Sequence, residues 1–517
     1  MLVAIAPAGA RKPAVSSAAD SAEASTAAYF DRILASPPRL RAFLQAMPKG
    51  GDLHTHLGGA VYAEDYLRWA ADDGRCLERE TARVVEAPCT AAGRVPVADA
   101  ALRDLPLYGR AIDAMSVRGY ENGIGDPTVP VHQRFFSAFD RFRDIANDHT
   151  GDTLAAVRTT AAGDRVAYLE IMYVPPAVRA FRDASVANGA GWGADGHRLG
   201  EHDFDARYAA LMPLVAPTIA QARHELDDEE ARALKRLDCA SATPQPGCAV
   251  EVRYQVPASR IKSPDRVFAS LMFAFAFAKA DPRYVGVNLL GEEHHPVALR
   301  DYALHMRMLA FFRQRYPSVK LSLHAGELSL GLVPPGDLRS HIAQAVDTAG
   351  TDRIGHGVDI AYEDDAAALL QRMARKRVAV EVNLSSNAAI LGVSGAAHPL
   401  AMYRAAGVPV LLSTDDQGVL RSDMTNEYQR AAQEQGLRYL DLKRIARDSL
   451  QYAFVPGASL WRDESGGARI AACVDDDVGA EPGEDCAKFL SANDKARLQW
   501  RLERQLASFE REPRRGL

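Results

Sequence analysis

VKLSLHAGE (319–327), LRSHIAQAVDTAG (338–350) and RIGHGVDI (353–360) follow one another as an apolar run, an amphipathic helical stretch and a second apolar run. A strand, a helix and a strand in that order join two parallel strands, because the helix must carry the chain back to the starting edge of the sheet. The same alternation continues on both sides. Upstream lie Asp52 to Leu57, RVAYLEIMYV (165–174), AVEVRYQVPA (249–258) and YVGVNLL (284–290), and downstream VAVEVNLSS (378–386) and VPVLLSTDD (408–416). Helical stretches such as ALRDYALHMRMLAFFRQRY and DDAAALLQRMARKR separate the later runs. Eight strands close a barrel, so the expected fold class is α/β, a (β/α)₈ TIM barrel. A doubly wound open sheet is the alternative, but no GxGxxG follows a first strand.

At 517 residues the chain is longer than the ~250 typical of one barrel, and it carries a helical N-terminal extension and insertions near 62–150 and 179–249. Residues 1–27 read as a signal remnant or disordered leader, with a helical pattern from about Ala28. The remainder, 28–517, reads as one barrel ending in a long charged helix, NDKARLQWRLERQLASFERE. Residues 62–150 read as helices and loops. A hydrophobic share of 47% with 25% charged residues is that of a globular protein. The net charge of −6 argues against a nucleic-acid partner, and the lack of an apolar run of ~18 residues against a membrane span. The six cysteines fall into the local couples Cys76/Cys89, Cys239/Cys248 and Cys473/Cys486, each closing a polar loop. Disulfides there, with the apolar MLVAIAPAGA start, predict export; six reduced thiols in a cytosolic protein are the alternative.

The polar residues gather at the C-terminal ends of the strands, where barrel enzymes carry their chemistry. His54 and His56, at i and i+2, point to one face of a strand and form half of a zinc ligand set. HAGE at 324–327, GHG at 355–357 and STDD at 413–416 bring His324, Glu327, His356, Asp415 and Asp416 to the same mouth. Two adjacent carboxylates are costly unless a cation or a proton separates their roles. His294 and His295, after LLGEE, read as exposed loop histidines, and Glu170 as an inward polar group of the barrel.

HTHLGGA (54–60), LHAGE (323–327), IGHG (354–357) and STDD (413–416), in this order, resemble the adenosine deaminase family. MPKGGDLH, LLGEE (289–293), EVNLSSN (381–387) and HPL (398–400) strengthen the likeness, which covers roughly residues 40 to 510. The long lead and insertions look like the exported, growth-factor-related branch, whose helical extensions imply a homodimer. The resemblance implies one Zn²⁺ held by His54, His56, His324 and Asp415, with a water whose pKa the metal lowers towards ~7. It implies that His356 orients that water, accepts its proton and stabilises the developing charge. Glu327 protonates purine N1, Asp416 pairs with N7 and the Gly291 N–H meets N3. The implied reaction is hydrolytic deamination of adenosine or 2′-deoxyadenosine, a small purine nucleoside, to the inosine product and ammonia.

One position departs from the family pattern. HxHLDGA has an acid where this chain has Gly58, and that acid is associated with the sugar 5′-hydroxyl. Gly58 leaves space, so a 5′-modified adenosine or another aminopurine is an alternative substrate. Two further readings are another metal-dependent amidohydrolase and a secreted binding or signalling protein with a decayed site. The first is disfavoured because no strand-end motif holds a lysine, the second because every ligand and Glu327 are present.

Overall fold

The computed structural model describes residues 18–122, 128–187, 199–463 and 467–512. Eight parallel strands form one sheet: β1 Gly50–His56, β2 Val166–Met172, β3 Glu251–Ser259, β4 Tyr284–Leu290, β5 Lys320–Ala325, β6 Arg353–His356, β7 Ala379–Val382 and β8 Val410–Leu412. Neighbours in sequence are neighbours in the sheet. The ring closes just beyond β8, where Asp415 N–H donates to the His54 carbonyl (2.9 Å) and His56 N–H to the Asp415 carbonyl (3.1 Å). The barrel's seam therefore runs through residues that the sequence assigns to chemistry.

The strands are buried almost throughout, and β2 is buried at every position, as befits strands covered on both faces. Helices Pro264–Ala280, Pro296–Arg315 and Ala366–Lys376 pack outside, each following a strand. The run 378–386 is shorter as a strand than its apolar character predicts: β7 stops at Val382 and a helix occupies Leu384–Leu391. Asn383 ends the strand, and the Ser385 backbone N–H and hydroxyl bond Glu427 and Ser422 instead of a neighbouring strand.

The first helix spans Ala18–Ile33, starting ten residues before the predicted Ala28, while residues 1–17 of the expected leader lie outside the described residues. The insertion at 62–150 holds more than helices and loops. A three-stranded antiparallel sheet of two- and three-residue strands joins Cys76–Glu78, Val84–Val85 and Arg94–Pro96, too short to show a period-2 pattern. Its final helix, Val131–Asp148, reaches the barrel mouth. The second insertion contains a 33-residue helix, Phe204–Arg236. The cysteines pair as Cys76–Cys89, Cys239–Cys248 and Cys473–Cys486. Among the described residues no helix is long and apolar enough to cross a membrane.

Inside the barrel's lower half, Arg353 is fully enclosed between two buried carboxylates, bonding Glu170 at 2.6 Å and also Glu381. Glu170 additionally accepts from Tyr168, Gln255 and the Phe454 N–H, so it is the inward structural group that the sequence predicts. Arg353→Met leaves two buried carboxylates without their cation. It is expected to cost about 3–5 kcal/mol of stability, read as a lowered midpoint in urea unfolding.

Candidate active site

Strand ends at the C-terminal mouth bring His54, His56, His324 and Asp415 together, with all four donor atoms within 4.8 Å of one another. His56 Nε2 lies 3.1 Å and His54 Nε2 3.4 Å from Asp415 Oδ1. His54 Nδ1 donates to Glu381 (2.7 Å) and His324 Nδ1 to the Asn288 carbonyl oxygen (2.8 Å). With Nδ1 so engaged, each ring turns Nε2 inward. His54 Nε2 is buried without a hydrogen-bond partner. Three imidazoles and one carboxylate, with outer acceptors orienting two of the rings, are the donor set of a catalytic zinc site, so these residues fit that ion.

Glu327, His356 and Asp415 also lie within 4.8 Å of one another. Burial, then the Asp415 charge, pushes the Glu327 carboxyl up to about 8. Glu293 holds it from behind by accepting the Gly326 and Glu327 backbone N–H groups (3.1 and 2.8 Å). Burial, then the Asp415 charge, likewise raises Asp416 to about 8 against the pull of His56. Asp416 Oδ1 is buried without a partner. His356 and Asp415 sit at φ of +71° and +57°, left-handed conformations that non-glycine residues hold only when their surroundings enforce them.

A chain of three hydrogen bonds sets the His356 tautomer. The Leu400 N–H donates to His398 Nδ1 (3.1 Å), so His398 carries its hydrogen on Nε2 and donates to Asn387 Oδ1 (3.0 Å). The Asn387 amide is thereby turned to donate from Nδ2 to His356 Nδ1 (3.0 Å). His356, held neutral by burial at about 3, then carries its hydrogen on Nε2, 3.7 Å from Glu327 and 4.0 Å from Asp415. This tautomer turns an N–H towards Glu327 and Asp415.

The adenosine deaminase family model matches residues 128–460, well over half of the chain. The chain belongs to the adenosine deaminase family. It is 34% identical over 211 residues to an adenine deaminase of Agrobacterium fabrum (strain C58 / ATCC 33970), covering 41% of this chain and 59% of that protein. An adenine deaminase of Rhizobium leguminosarum bv. trifolii (strain WSM2304) is 33% identical over 209 residues, 40% of this chain and 58% of that one. The chain thus spans a little under three-fifths of the length of these curated relatives. Among solved structures, the N6-methyl-AMP deaminase of Arabidopsis thaliana aligns at TM-score 0.49 and 17% identity, over 80% of this chain and 94% of that one. A zinc-bound amidohydrolase from Burkhoderia ambifaria aligns at TM-score 0.48 and 18% identity, over 90% and 94%.

In this family member the site opens into a cavity of about 380 Å³ lined by His56, Gly58, Gly291, Glu327 and Asp416. Gly291, at φ +104°, turns the chain at the end of β4. Phe135, Phe136, Phe139 and Phe142 form most of the opposite wall, with Arg143 and Asn147 of the same helix, Val131–Asp148, also lining the cavity. A Cβ at Gly58 would meet Phe142 at 3.7 Å, so a carboxylate there would face an aromatic ring. At Gly59 a Cβ would fall 1.6 Å from Asp416 Oδ1, so the second glycine of HLGG is required to seat that carboxylate.

Glu293, Glu381, Asn288 and the Asn387–His398 relay escaped sequence reasoning as site residues, although LLGEE, EVNLSSN and HPL mark most of them. Asp52 is another: it accepts from Thr414 Oγ1 (2.5 Å) and from the His54 N–H (3.3 Å), tying β1 to the STDD turn. His294 is half-buried and pairs with His132 (3.3 Å), and His295 accepts from the Val297 N–H at a helix start. Both have structural partners, where the sequence predicts exposed loop histidines.

Proposed function

We propose that this protein is a zinc-dependent hydrolase that replaces the 6-amino group of a purine by oxygen, its substrate an adenosine with an apolar 5′ substituent. The observation that carries the reaction is the convergence of the four-ligand set, a carboxyl raised to about 8 and an N–H-bearing imidazole within one cavity. His54, His56, His324 and Asp415 would hold a zinc ion, which would supply Lewis acidity enough to make a water nucleophilic at neutral pH, its pKa lowered to about 7. Glu327 holds a proton at neutral pH and gives it to ring N1, which breaks the aromaticity at C6. Asp416, equally protonated, donates to N7, and the Gly291 N–H donates to N3. His356 donates from Nε2 to the oxygen that develops charge at C6, stabilising it in place as oxyanion donors do. The proton of the added hydroxyl passes to the 6-amino nitrogen, the C6–N bond breaks as the C6=O bond forms, and ammonia leaves the N1-protonated 6-oxopurine.

The apolar 5′ end rests on Gly58 and the phenylalanine wall. With no carboxylate at 58 to accept a 5′-hydroxyl, a polar sugar terminus gains little, whereas an apolar group would bury against the rings. A second reading, free adenine, is favoured by the adenine deaminase names of the curated relatives. A volume of 380 Å³ suits a ligand larger than one base. The reading extends to an oxidising compartment, which the three disulfides favour.

Ammonia release from adenine, adenosine and 5′-deoxy-5′-methylthioadenosine by the zinc-loaded protein tests this. The expected order of kcat/KM places the methylthio compound about tenfold or more above adenosine, the discrimination of one extra buried apolar group. Turnover of adenine above both nucleosides would establish the second reading. No turnover of any of them by protein that holds its zinc would sink purine deamination.

A further inference from the structure

At the opposite end of the barrel from the site lies a cavity of about 1090 Å³, framed by the N-terminal starts of β4, β5 and β6 and by the 451–457 segment. Six cations, Lys279, Arg313, Lys320, Lys376, Arg377 and Lys495, line it together with Arg353, against one carboxylate, Asp352. This is a concentrated positive surface in a chain of net charge −6.

The local carboxylates are outnumbered. Asp352 is shared by Arg313 and Lys320 (both 2.9 Å), and Asp347 by Lys376 and Arg372 (3.1 and 3.2 Å). Lys279 donates to the Ser318 hydroxyl (3.4 Å) and Lys495 to the Gln451 carbonyl (2.9 Å), neither of them a carboxylate. Lys279, Arg313 and Lys376 stand in the last turns of helices Pro264–Ala280, Pro296–Arg315 and Ala366–Lys376, where a cation complements the helix dipole. Arg377 is the C-cap of the last of these helices, and helix ends do not account for Lys320 and Lys495. Lys320 begins a strand, and Lys495 is the second residue of helix Asp494–Arg511, the end where a positive charge is disfavoured. Burial also pulls the Lys495 ammonium down to about 8. Like charges crowded around one cavity repel, and an anion among them lowers that cost.

We propose that this cavity is a second ligand site that takes a small phosphate-bearing polyanion of nucleotide size. Its volume of about 1090 Å³ has ample room for a ligand of that size. The Arg313 and Arg377 guanidiniums offer forks that fit phosphate oxygens in pairs, and the lysines add point charges around them. Because the cations stand on several separate elements, more than one anionic group is needed to meet them. The site shares a wall with the catalytic centre: Arg353 lines the cavity, bonds Glu381, and Glu381 accepts from His54 Nδ1.

Calorimetric titration of the zinc-loaded full chain with UDP, pyrophosphate and uridine tests the proposal, pyrimidine probes being chosen to avoid the purine pocket. UDP and pyrophosphate are expected to bind with micromolar Kd, weakening as salt rises, and uridine not at all. Stronger binding of UDP than of pyrophosphate would mark a nucleotide site, and equal binding a site for the phosphate chain itself. The double variant Lys279→Gln/Lys495→Gln, whose folding is verified by its melting curve and whose deaminase activity should be unchanged, is expected to bind each phosphate probe at least tenfold more weakly. Zinc chelation or capture in the purine pocket would not respond to these two residues. Equal affinity of wild type and variant, or no binding of either phosphate probe below millimolar concentration, overturns the proposal and leaves the cations as helix-end and strand-end charges.

Discussion

Glu327→Gln is expected to keep its zinc and lower kcat by about three orders of magnitude, the upper part of the range that a positioned general acid contributes. The amide fills the same space and can still accept the hydrogen-bond geometry of the pocket, but it has no proton to give to N1. Because Glu293 holds residue 327 through its backbone N–H, the side-chain change leaves the loop in place, and KM should move much less than kcat. The wild-type pH profile carries the same assignment. Burial and the Asp415 charge raise this carboxyl from 4.5 to about 8, so the proton is present at neutral pH and lost as pH rises through that value. The acid-requiring limb of kcat/KM should accordingly fall above about pH 8. A variant that retains more than a tenth of the wild-type kcat would remove Glu327 from the proton transfer.

His324→Ala is the second large effect: loss of the metal, and with it activity, by a factor of at least about 10³, checked by metal analysis of dialysed protein and by failure of added zinc to restore turnover at stoichiometric concentration. The ring is one of three imidazoles in the set and its orientation is fixed by Asn288, so no neighbouring side chain can take its place. Metal uptake by the wild type should also release protons. Although burial alone would lower it, Asp415 and Glu381 hold the His54 imidazole up at about 10. At neutral pH the cation must therefore displace a proton from this ring, and zinc affinity should fall as pH is lowered. Titrations in buffers of different ionisation enthalpy would read that release directly. Zinc binding with no proton exchange would contradict the picture of a His54 ring charged between its two carboxylates.

Much of the architecture is legible without coordinates because it is written in local patterns. Strand and helix alternate in runs whose periodicity needs no long-range knowledge, and YVGVNLL at 284–290 becomes β4 with the same bounds. The ligand types are legible for a related reason: HTH puts both imidazoles on one side of any extended strand, and the barrel topology then sends every strand end to one mouth. Where the local reading fails, the competing contacts are specific. The run 378–386 carries strand-like residues, yet Asn383 and the serines after it find side-chain partners that break the ladder. The early start of the first helix has a comparable cause. Its Ala/Ser-rich sequence is weakly amphipathic, and the helix is held by packing against the C-terminal helix and by Lys443 bonding Glu23.

What the sequence by itself determined was the fold class, the cysteine couples and the identity of the residues at the mouth, since each follows from spacing over a few residues or from a short motif. Only the tertiary structure decided how those residues work. The partner of His54 is 327 positions away, and the tautomer of His356 depends on a relay through Asn387, His398 and the Leu400 backbone. The phenylalanine wall opposite Gly58 comes from an insertion, and the cationic cavity collects side chains from the far ends of helices and strands. These arrangements depend on how the barrel closes and on which side chains its closure brings within hydrogen-bond reach. That is a property of register across the whole ring, and no local stretch of chain encodes it.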